Sequence, residues 1–518
     1  MPIAPPPVFP PQQGVLRQER QQYQGAAHTV TLKLGPYSVY VFGNTLLRAG
    51  QVRAALQGGK NLSDAVRVLN REYRSRGYLL VHLRYAFDRK ANVLYIRVIE
   101  GHLAAIRGGG GVAAYLRGLT GDPHPTMGEF RRQQVLAGIM TERAGLNVST
   151  HYSFRQNDPA AAVMHLETHA AKNHSPLGVT LSAGNPGNRY VGRYFAGASL
   201  RAYNRFGGRA VLQVSHALPH LGNGPNSGHL DEVKLHYDQP TAVGVYGGGA
   251  SYLEYRLYQN GFTYDGRIAR AHLSGEQLLH ASQATRLTIS EQPFVSSYRL
   301  TGNPGNVTVL RERYAGLQVG SGFHHDFSVR IGGRRYRLGS FSSRLNLRKG
   351  LHASPGTFPS SSRGGEFLLG QLSMDLTSRI ATDSTLHFHF EGQAANRRLP
   401  VVEQWVLGGE SQIRAYLAGV MVGDQGIYGR TTLQLPRVRL IGLPWRLSLF
   451  AEAGSASFRN SSAPTTTLTD AGARLSIGPL AGVTAMLEAA EPLTAQNLSD
   501  QRLRQYRADS YFRVRVRF

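Results

Sequence analysis

The chain ends in Phe512-Arg513-Val514-Arg515-Val516-Arg517-Phe518. Residues two apart on an extended strand share a face. Phe512, Val514, Val516 and Phe518 therefore line one side, and three arginines line the other. A strand of a soluble sandwich can also have one wet face, so the companions of this strand decide. In Thr385–Glu391, Leu386, Phe388 and Phe390 alternate with His387, His389 and Glu391. In Glu366–Thr377, Leu368, Leu372, Met374 and Leu376 share a face with Gly370, opposite Gln371, Ser373 and Asp375. Alternation of this kind, punctuated by turn signals, runs from about Leu177 to the end without a convincing helix. Sixteen candidate strands start near residues 177, 190, 209, 229, 242, 266, 285, 311, 328, 365, 384, 427, 445, 467, 482 and 510. An even number lets a membrane barrel begin and end on one side. With so many such strands, apolar-to-lipid and Arg-to-lumen is the simpler reading. Closure satisfies every backbone polar group in lipid, which an open sheet could not do.

Composition agrees. Mean hydropathy is −0.27, and no stretch approaches the ~20 consecutive apolar residues of a membrane helix. A barrel keeps mean hydropathy low because lipid-facing and lumen-facing residues alternate. Gly 60, Tyr 25 and Phe 20 suit many strands, turns and interface aromatics. The absence of cysteine excludes disulfides, thiolate metal sites and cysteine nucleophiles. A net charge of +26 raises nucleic-acid binding. The basic residues are spread along the strands rather than clustered on a helix or tail, which favours an Arg-lined pore or contact with lipid phosphates, and no nucleic-acid partner is expected. Met1-Pro2-Ile3 leads into Pro5-Pro6-Pro7 with neither a charged n-region nor an apolar h-region. If the protein is exported, its signal has been removed or starts further upstream.

Ahead of the alternating region the pattern differs. Residues 1–29 form a Pro- and Gln-rich arm, expected to be poorly ordered. Val15–Gln24 could make a short polar helix, with nothing apolar to anchor it. Residues 30–101 read as a β-α-α-β-β unit. Tyr37–Phe42 is a short strand, and Leu62, Val66, Leu69 and Tyr73 mark one face of a helix that Asn61 or Ser63 can cap and Gly77 can end. Strands Val81–Phe87 and Val93–Ile99 follow, with Leu94, Ile96 and Val98 turned to the helix. Residues 102–172 look like a degenerate second copy, with a helical stretch around Phe130–Arg143 before strands near Val148–Phe154 and Ala162–Thr168. Residues 173–518 remain for the barrel.

No catalytic constellation stands out, and the chain is not expected to be an enzyme. Gly108–Gly111 and Gly247–Gly249 lack the Lys-Ser/Thr of a phosphate loop and the strand-to-helix setting of a dinucleotide site. His387, His389 and Glu391 point the same way and could meet a metal, but they lack a closed ligand set, and an aqueous lumen needs polar residues anyway. His324 and His325 point to opposite faces. Neither metal nor cofactor is expected. The odd stretch is Leu407-Gly408-Gly409-Glu410-Ser411-Gln412-Ile413-Arg414-Ala415-Tyr416, where a Gly pair precedes one Arg among apolar residues. In Trp445–Gly454, Trp445, Leu447, Leu449, Ala451 and Ala453 share one face, and Arg446, Ser448, Phe450 and Glu452 the other. If the former set faces lipid, Glu452 lies in the lumen, where an infolded Arg414 could reach it. Such a pair would exceed the ~0.2–1 kcal/mol of an exposed one. Pattern alone leaves equally open a surface-loop Arg and an unrelated lumen Glu.

Leu407-Gly408-Gly409 with Ile413-Arg414-Ala415-Tyr416 resembles the loop-six motif of the outer-membrane superfamily that contains barrel-assembly proteins and two-partner-secretion translocators, usually Val-Arg-Gly-Tyr/Phe. Phe450-Ala451-Glu452-Ala453-Gly454 resembles the same superfamily's Phe-x-Asp-x-Gly strand motif, the β-α-α-β-β units resemble POTRA domains, and Phe518 resembles the outer-membrane sorting terminus. The resemblance implies contact between the two motifs inside the barrel. Room for two POTRA domains, 30–101 and 102–172, points to translocators of the haemolysin secretion/activation type. It implies α+β POTRA domains in the periplasm, a 16-stranded antiparallel transmembrane β-barrel in a Gram-negative outer membrane, and secretion of one large β-helical exoprotein. Contact with lipid and lipopolysaccharide and a monomeric state are expected with it. An outer-membrane assembly factor of the same superfamily and a passive porin are the alternatives. The chain departs from the family pattern at Ala415 for Gly, at Glu452 for Asp, and at Gln434 where Glu is frequent. Ala415 puts a positive-φ turn in question.

Overall fold

Alternation along the sequence becomes inside and outside in a computed structural model of the chain. The structure describes residues 3–7, 10–155, 158–187, 191–218, 221, 228–259, 262–303, 305, 307–331, 334–353 and 364–518. The chain divides into two units, one chiefly from residues up to His174 and one chiefly from Ser175 onward.

The first unit opens with β1 (Gln12–Gln13), α1 (Leu16–Gln24), β2 (Thr29–Leu34), β3 (Tyr37–Phe42), α2 (Ala49–Gln57), α3 (Leu62–Ser75), β4 (Val81–Asp88) and β5 (Val93–Glu100), in a sheet ordered β1-β4-β5-β3-β2. Asn61 caps α3 by accepting from Asp64 N at 2.9 Å, and Gly77, at φ 89°, supplies the left-handed residue beyond its end. Val66, Leu69 and Tyr73 of α3 bury against Val39, Val41, Leu83, Leu94, Ile96 and Val98. The arm is more ordered than its composition suggests. Leu16–Gln24 is helical, and Tyr23 anchors it, with its ring 4.8 Å from Tyr40 and 5.5 Å from Tyr95 on the sheet's other face. A single aromatic in a Gln-rich run supplies the apolar contact that the periodicity concealed.

The order from β3 to β5 recurs in β6 (His102–Gly108), α4 (Gly111–Leu116), α5 (Met127–Arg143), β7 (Leu146–Arg155) and β8 (Asp158–Ala170), with sheet order β6-β8-β7. Thr126 and Glu129 form a capping box at the start of α5. Phe130, Leu136, Ala137 and Met140 are buried on its inner face. Two α+β modules thus precede the barrel in sequence: the second has the expected β-α-α-β-β order, and the first has it from β3 onward, with β2 an added strand paired to β3.

The second unit is a closed antiparallel barrel. Its wall begins with β9 (Leu177–Gly184), β10 (Phe195–Tyr203), β11 (Arg209–Ala217), β12 (His229–Pro240), β13 (Gly244–Gln259) and β14 (Phe262–Ala281). It continues with β15 (Thr285–Asn303), β16 (Val307–Ile331), β17 (Arg334–Ala353), β18 (Leu368–Ala381) and β19 (Ser384–Ala395). A small ribbon, β20 (Trp405–Leu407) with β21 (Met421–Gly423), interrupts it. The wall resumes with β22 (Gln425–Gln434), β23 (Val438–Leu440), β24 (Leu443–Ser457), β25 (Thr466–Leu480), β26 (Val483–Gln496), a short helix α6 (Asp500–Tyr506) and β27 (Tyr511–Arg517). β22 and β23 both pair with β24 and form one interrupted strand, so the wall has the expected sixteen. The strand expected from near 190 begins at Phe195, residue 190 itself lying outside the described residues. The strand expected from near 328 begins at Arg334, because alternation carries β16 on to Ile331.

Burial follows the period-two pattern. In β24, Leu447, Leu449, Ala451 and Ala453 are exposed, whereas Ser448, Phe450, Glu452 and Gly454 are buried. Phe512, Val514 and Phe518 face outward. β27 closes the barrel on β9, with Arg513 opposite Gly184 and Arg517 opposite Thr180. Asn185 clamps this seam: its Nδ2 donates to Ser510 O at 3.0 Å, and its Oδ1 accepts from Phe512 N at 2.6 Å.

An outward face that meets hydrocarbon has a measurable consequence. Leu449→Arg, at the middle of β24, should cost about 2–4 kcal/mol of barrel stability, the range for a cation at the bilayer midplane. Ser373→Arg, half-buried on the inward face of β18 opposite Glu391, should cost much less. Urea titration of the folded fraction in lipid vesicles separates the two; equal costs would contradict a lipid-facing Leu449.

Candidate functional site

The connection Asn396–Asp424, between β19 and β22, does not stay outside the wall. Its buried residues Leu407, Ile413, Ala415, Tyr416, Val420 and Met421 join Tyr428, Phe450, Leu468 and Ala490 of the wall in one apolar cluster. Left-handed backbone makes the reversal possible. Gly408 and Gly409 have φ of 103° and 98°, and a Cβ at Gly408 would collide with Leu417 O. Gly409 N then donates to Tyr416 O at 2.7 Å, closing the tip.

Arg414 stands at that tip with 2% of its side chain exposed, and the carboxylates of Glu452 and Glu488 are fully buried beside it. Its Nη1 bonds Glu452 Oε1, its backbone N–H donates to Glu452 Oε2 at 3.1 Å, and its Nε donates to Glu410 O at 2.9 Å. Nε also makes ion contact with Glu488, which Arg474 neutralises from the wall. Tyr428 OH donates to Glu452 Oε1 at 2.5 Å. The expected meeting of Arg414 and Glu452 inside the barrel is therefore present in the geometry.

The three residues of the Phe450-x-Glu452-x-Gly454 strand have separate uses. The guanidinium carbon of Arg414 lies 4.7 Å from the centroid of the Phe450 ring, a cation–π contact. Glu452 holds the charge. Gly454 leaves room for the loop, since a Cβ there would lie 2.9 Å from Leu407 Cδ1 and 3.2 Å from Ile413 Cδ1.

Ala415 does not take the positive φ that a Gly at its position suggests. The left-handed residue is Ile413, at φ 49°, a costly conformation for a β-branched residue, on the order of 1–3 kcal/mol. Ala415 is fully buried. Its N–H donates to Asp470 Oδ2 at 2.7 Å, and its carbonyl accepts from Ala508 N at 2.9 Å. Leu417 N donates to Tyr506 O at 2.6 Å, and Tyr511 OH donates to Tyr416 O at 2.8 Å. The segment between β26 and β27 thus clasps the loop from behind. Arg513, on the inward face of β27, bonds Glu410.

A second anchor lies elsewhere on the wall. Glu403 of the loop pairs with Arg270 of β14 at 2.6 Å, with Arg348 of β17, and accepts from Tyr314 OH of β16 at 2.8 Å. Asp424, at the loop's other end, accepts from Leu399 N at 2.9 Å and Arg459 N at 3.0 Å. Gln434 accepts from Thr385 Oγ1 and Arg446 Nη1, both at 3.2 Å, apart from the loop site.

Glu488, Asp470, Tyr428 and Glu403 were not singled out by sequence. Phase could have found the first two, because each is a carboxylate on the inward phase of its strand, directly opposite an inward residue already named or charged: Asp470 faces Glu452, and Glu488 faces Arg474. The His387/His389/Glu391 face lines the lumen, and its partners are internal: His389 Nδ1 lies 2.8 Å and His387 Nε2 3.2 Å from Asp375.

A sequence model of the family described as haemolysin secretion/activation protein ShlB/FhaC/HecB matches residues 166–478. No curated protein sequence matches the chain. Among solved structures, CdiB from Escherichia coli superposes with TM-score 0.72 at 18% identity, over 97% of this chain and 96% of that one. CdiB from Acinetobacter baumannii gives 0.69 at 15%, over 95% and 90%. BamA from Haemophilus ducreyi lacking POTRA domains 1–3 gives 0.51 at 13%, over 92% and 99%. These likenesses support the fold.

Removing one partner of a buried ion pair strands the other, at about 3–5 kcal/mol. Arg414→Ala should unseat the loop while leaving the barrel assembled, and Gly454→Val should do the same by filling the seat of Ile413. Limited proteolysis reads this directly: both variants should be cleaved within 396–424 at least tenfold faster than the parent. Cleavage at the parent's rate in both would mean that the loop is held by something else.

Proposed function

The chain belongs to the haemolysin secretion/activation protein family ShlB/FhaC/HecB, a family of outer-membrane transporters in two-partner secretion, and from that premise we propose that it exports one large secreted partner protein through its own barrel after capturing it on the α+β modules. The observation that carries the reading is the seated loop: a closed barrel whose lumen is crossed by a loop on a buried ion pair, in a chain that also carries two modules with sheet edges suited to extended chain.

In this reading residues 30–101 and 102–172 are two POTRA domains in the periplasm. The partner reaches them unfolded, and an extended segment adds to a sheet edge by main-chain hydrogen bonds. The chain then passes an interior studded with Arg430, Arg474 and Arg446. Folding of the partner outside makes the passage directional. Transport requires the loop to yield. Arg414 with Glu452 and Glu488 is the latch that holds it between events, and Glu403 is the counter-anchor. A guanidinium suits this task, because its planar fork can face two carboxylates at once, which an ammonium does less well.

Secretion assays test the latch. Arg414→Ala should reduce export of the partner at least tenfold with the barrel still assembled, and Arg414→Lys should recover little of it. Exchanging the charges, Arg414→Glu with Glu452→Arg, should restore export only in part, because Glu488 and Asp470 stay in place; full export by the single Arg414→Ala variant would remove the latch from the mechanism. Deleting residues 30–172 should abolish export yet preserve ion conductance in planar bilayers. Loss of conductance would show that the barrel needs the modules in order to form.

A further inference from the structure

A strand at the edge of a sheet offers unpaired N–H and C=O groups to any extended chain. β4 and β7 hold the same place in the two β-α-α-β-β modules, and one piece of chain meets both. In the first module, Gln12 and Gln13 lie parallel to β4, opposite Arg84 and Tyr85, and Gly14 N donates to Tyr85 O at 2.8 Å. In the second, the arm bridges edge strand β7 and helix α5. Tyr152 OH of β7 donates to Ala4 O at 2.9 Å, the Gln134 amide of α5 donates to Ile3 O, and Ile3 is 2% exposed.

We infer that the β4 edge and the β7–α5 groove together form the surface on which an extended segment of the exported partner docks, and that residues 3–7 and 10–14 are a tethered occupant which this segment displaces. The named polar contacts are to the arm's main chain, namely Ile3 O, Ala4 O, the Gln12–Gln13 ladder and Gly14 N. A surface that reads backbone accepts another extended chain in its place. The hold is also short. Beyond the bonds just named and the two-residue ladder it rests on two buried side chains, Ile3 and Pro6, and Pro5, Pro6, Pro7, Pro10 and Pro11 between them have no N–H to give a sheet. Helix α1, held by Tyr23, keeps the arm next to both modules after it lifts. The tether supplies an effective concentration in the millimolar range, so weak contacts suffice to exclude stray chains while a partner with several contacts can compete. The inference rests on the transport reading for the identity of the displacing chain, not for the surface itself.

The test uses a labelled synthetic peptide of residues 1–14, with fluorescence anisotropy on the purified full chain and on a variant lacking those residues. The peptide should bind the shortened chain at least about tenfold more tightly than the full chain, whose own arm competes. Tyr152→Phe in the shortened chain should weaken it severalfold. Ile3→Asp in the full chain, which leaves the rest of the arm intact, should open the surface in the same way and covers the case in which the shortened chain misfolds. Equal affinity for all three forms, or no binding to either opened form, overturns the proposal. Peptide exchange needs no exported protein, so its outcome holds even if the transport reading fails. Where export is measured, saturating peptide should slow it severalfold for the shortened chain, and undiminished export overturns the claim that the client uses this surface.

Discussion

Two carboxylates, Glu452 and Asp470, sit directly opposite each other on neighbouring strands of the wall. Like charges in that register repel, and in a shielded interior water and salt do little to relieve them. The wall resolves the conflict with groups that come from elsewhere in the chain. Arg414 brings its guanidinium and its backbone N–H to Glu452, and the next N–H, that of Ala415, goes to Asp470. The acidic patch and the infolded loop are thus complementary halves of one arrangement. An empty barrel would keep the repulsion, and a loop outside would bury nothing. The position of the loop, the phase of three wall strands and the small residue at Gly454 all follow from the need to bring that cation in.

Charge alone would not fix the loop's shape. Gly408 and Gly409 turn the chain, Ile413 accepts an unfavourable φ, and the apolar cluster around Leu407 and Tyr416 gives the tip a core of its own. The loop is also held at both ends, by Asp424 and by Glu403, so it is a crossbar fixed to β14, β16 and β17 as well as to β24 and β26. Movement at the tip is therefore separable from movement of the whole crossbar.

Much of this was legible in the residues because period-two alternation is a strong signal when repeated. The number of strands, the inward phase of Glu452 and the outward phase of Phe512 and Val514 followed from it. The helix face of Leu62, Val66, Leu69 and Tyr73 was equally plain. Strand ends were less so, since alternation in β16 continues past the turn expected before 328. Charge partners on neighbouring strands were half legible: phase marks Glu488 and Asp470 as lumen acids, but only the register places them beside Arg474 and Glu452. The Ala415 question was misplaced by sequence, because the strained residue is Ile413. Tyr23 was hidden because one aromatic among glutamines leaves no periodic trace.

Tyr511 donates to Tyr416 O across 95 residues of chain, and that span sets an order in time. The socket of the loop is made of β24, β25, β26 and the last strand, all of which are synthesised after the loop itself. Long-range contacts of this kind form late, because the intervening chain must be ordered first. A barrel stopped short of its final strand has the acidic wall but lacks Tyr511 and Arg513, the last groups to reach the loop, so the fully seated loop is a mark that the molecule has been finished.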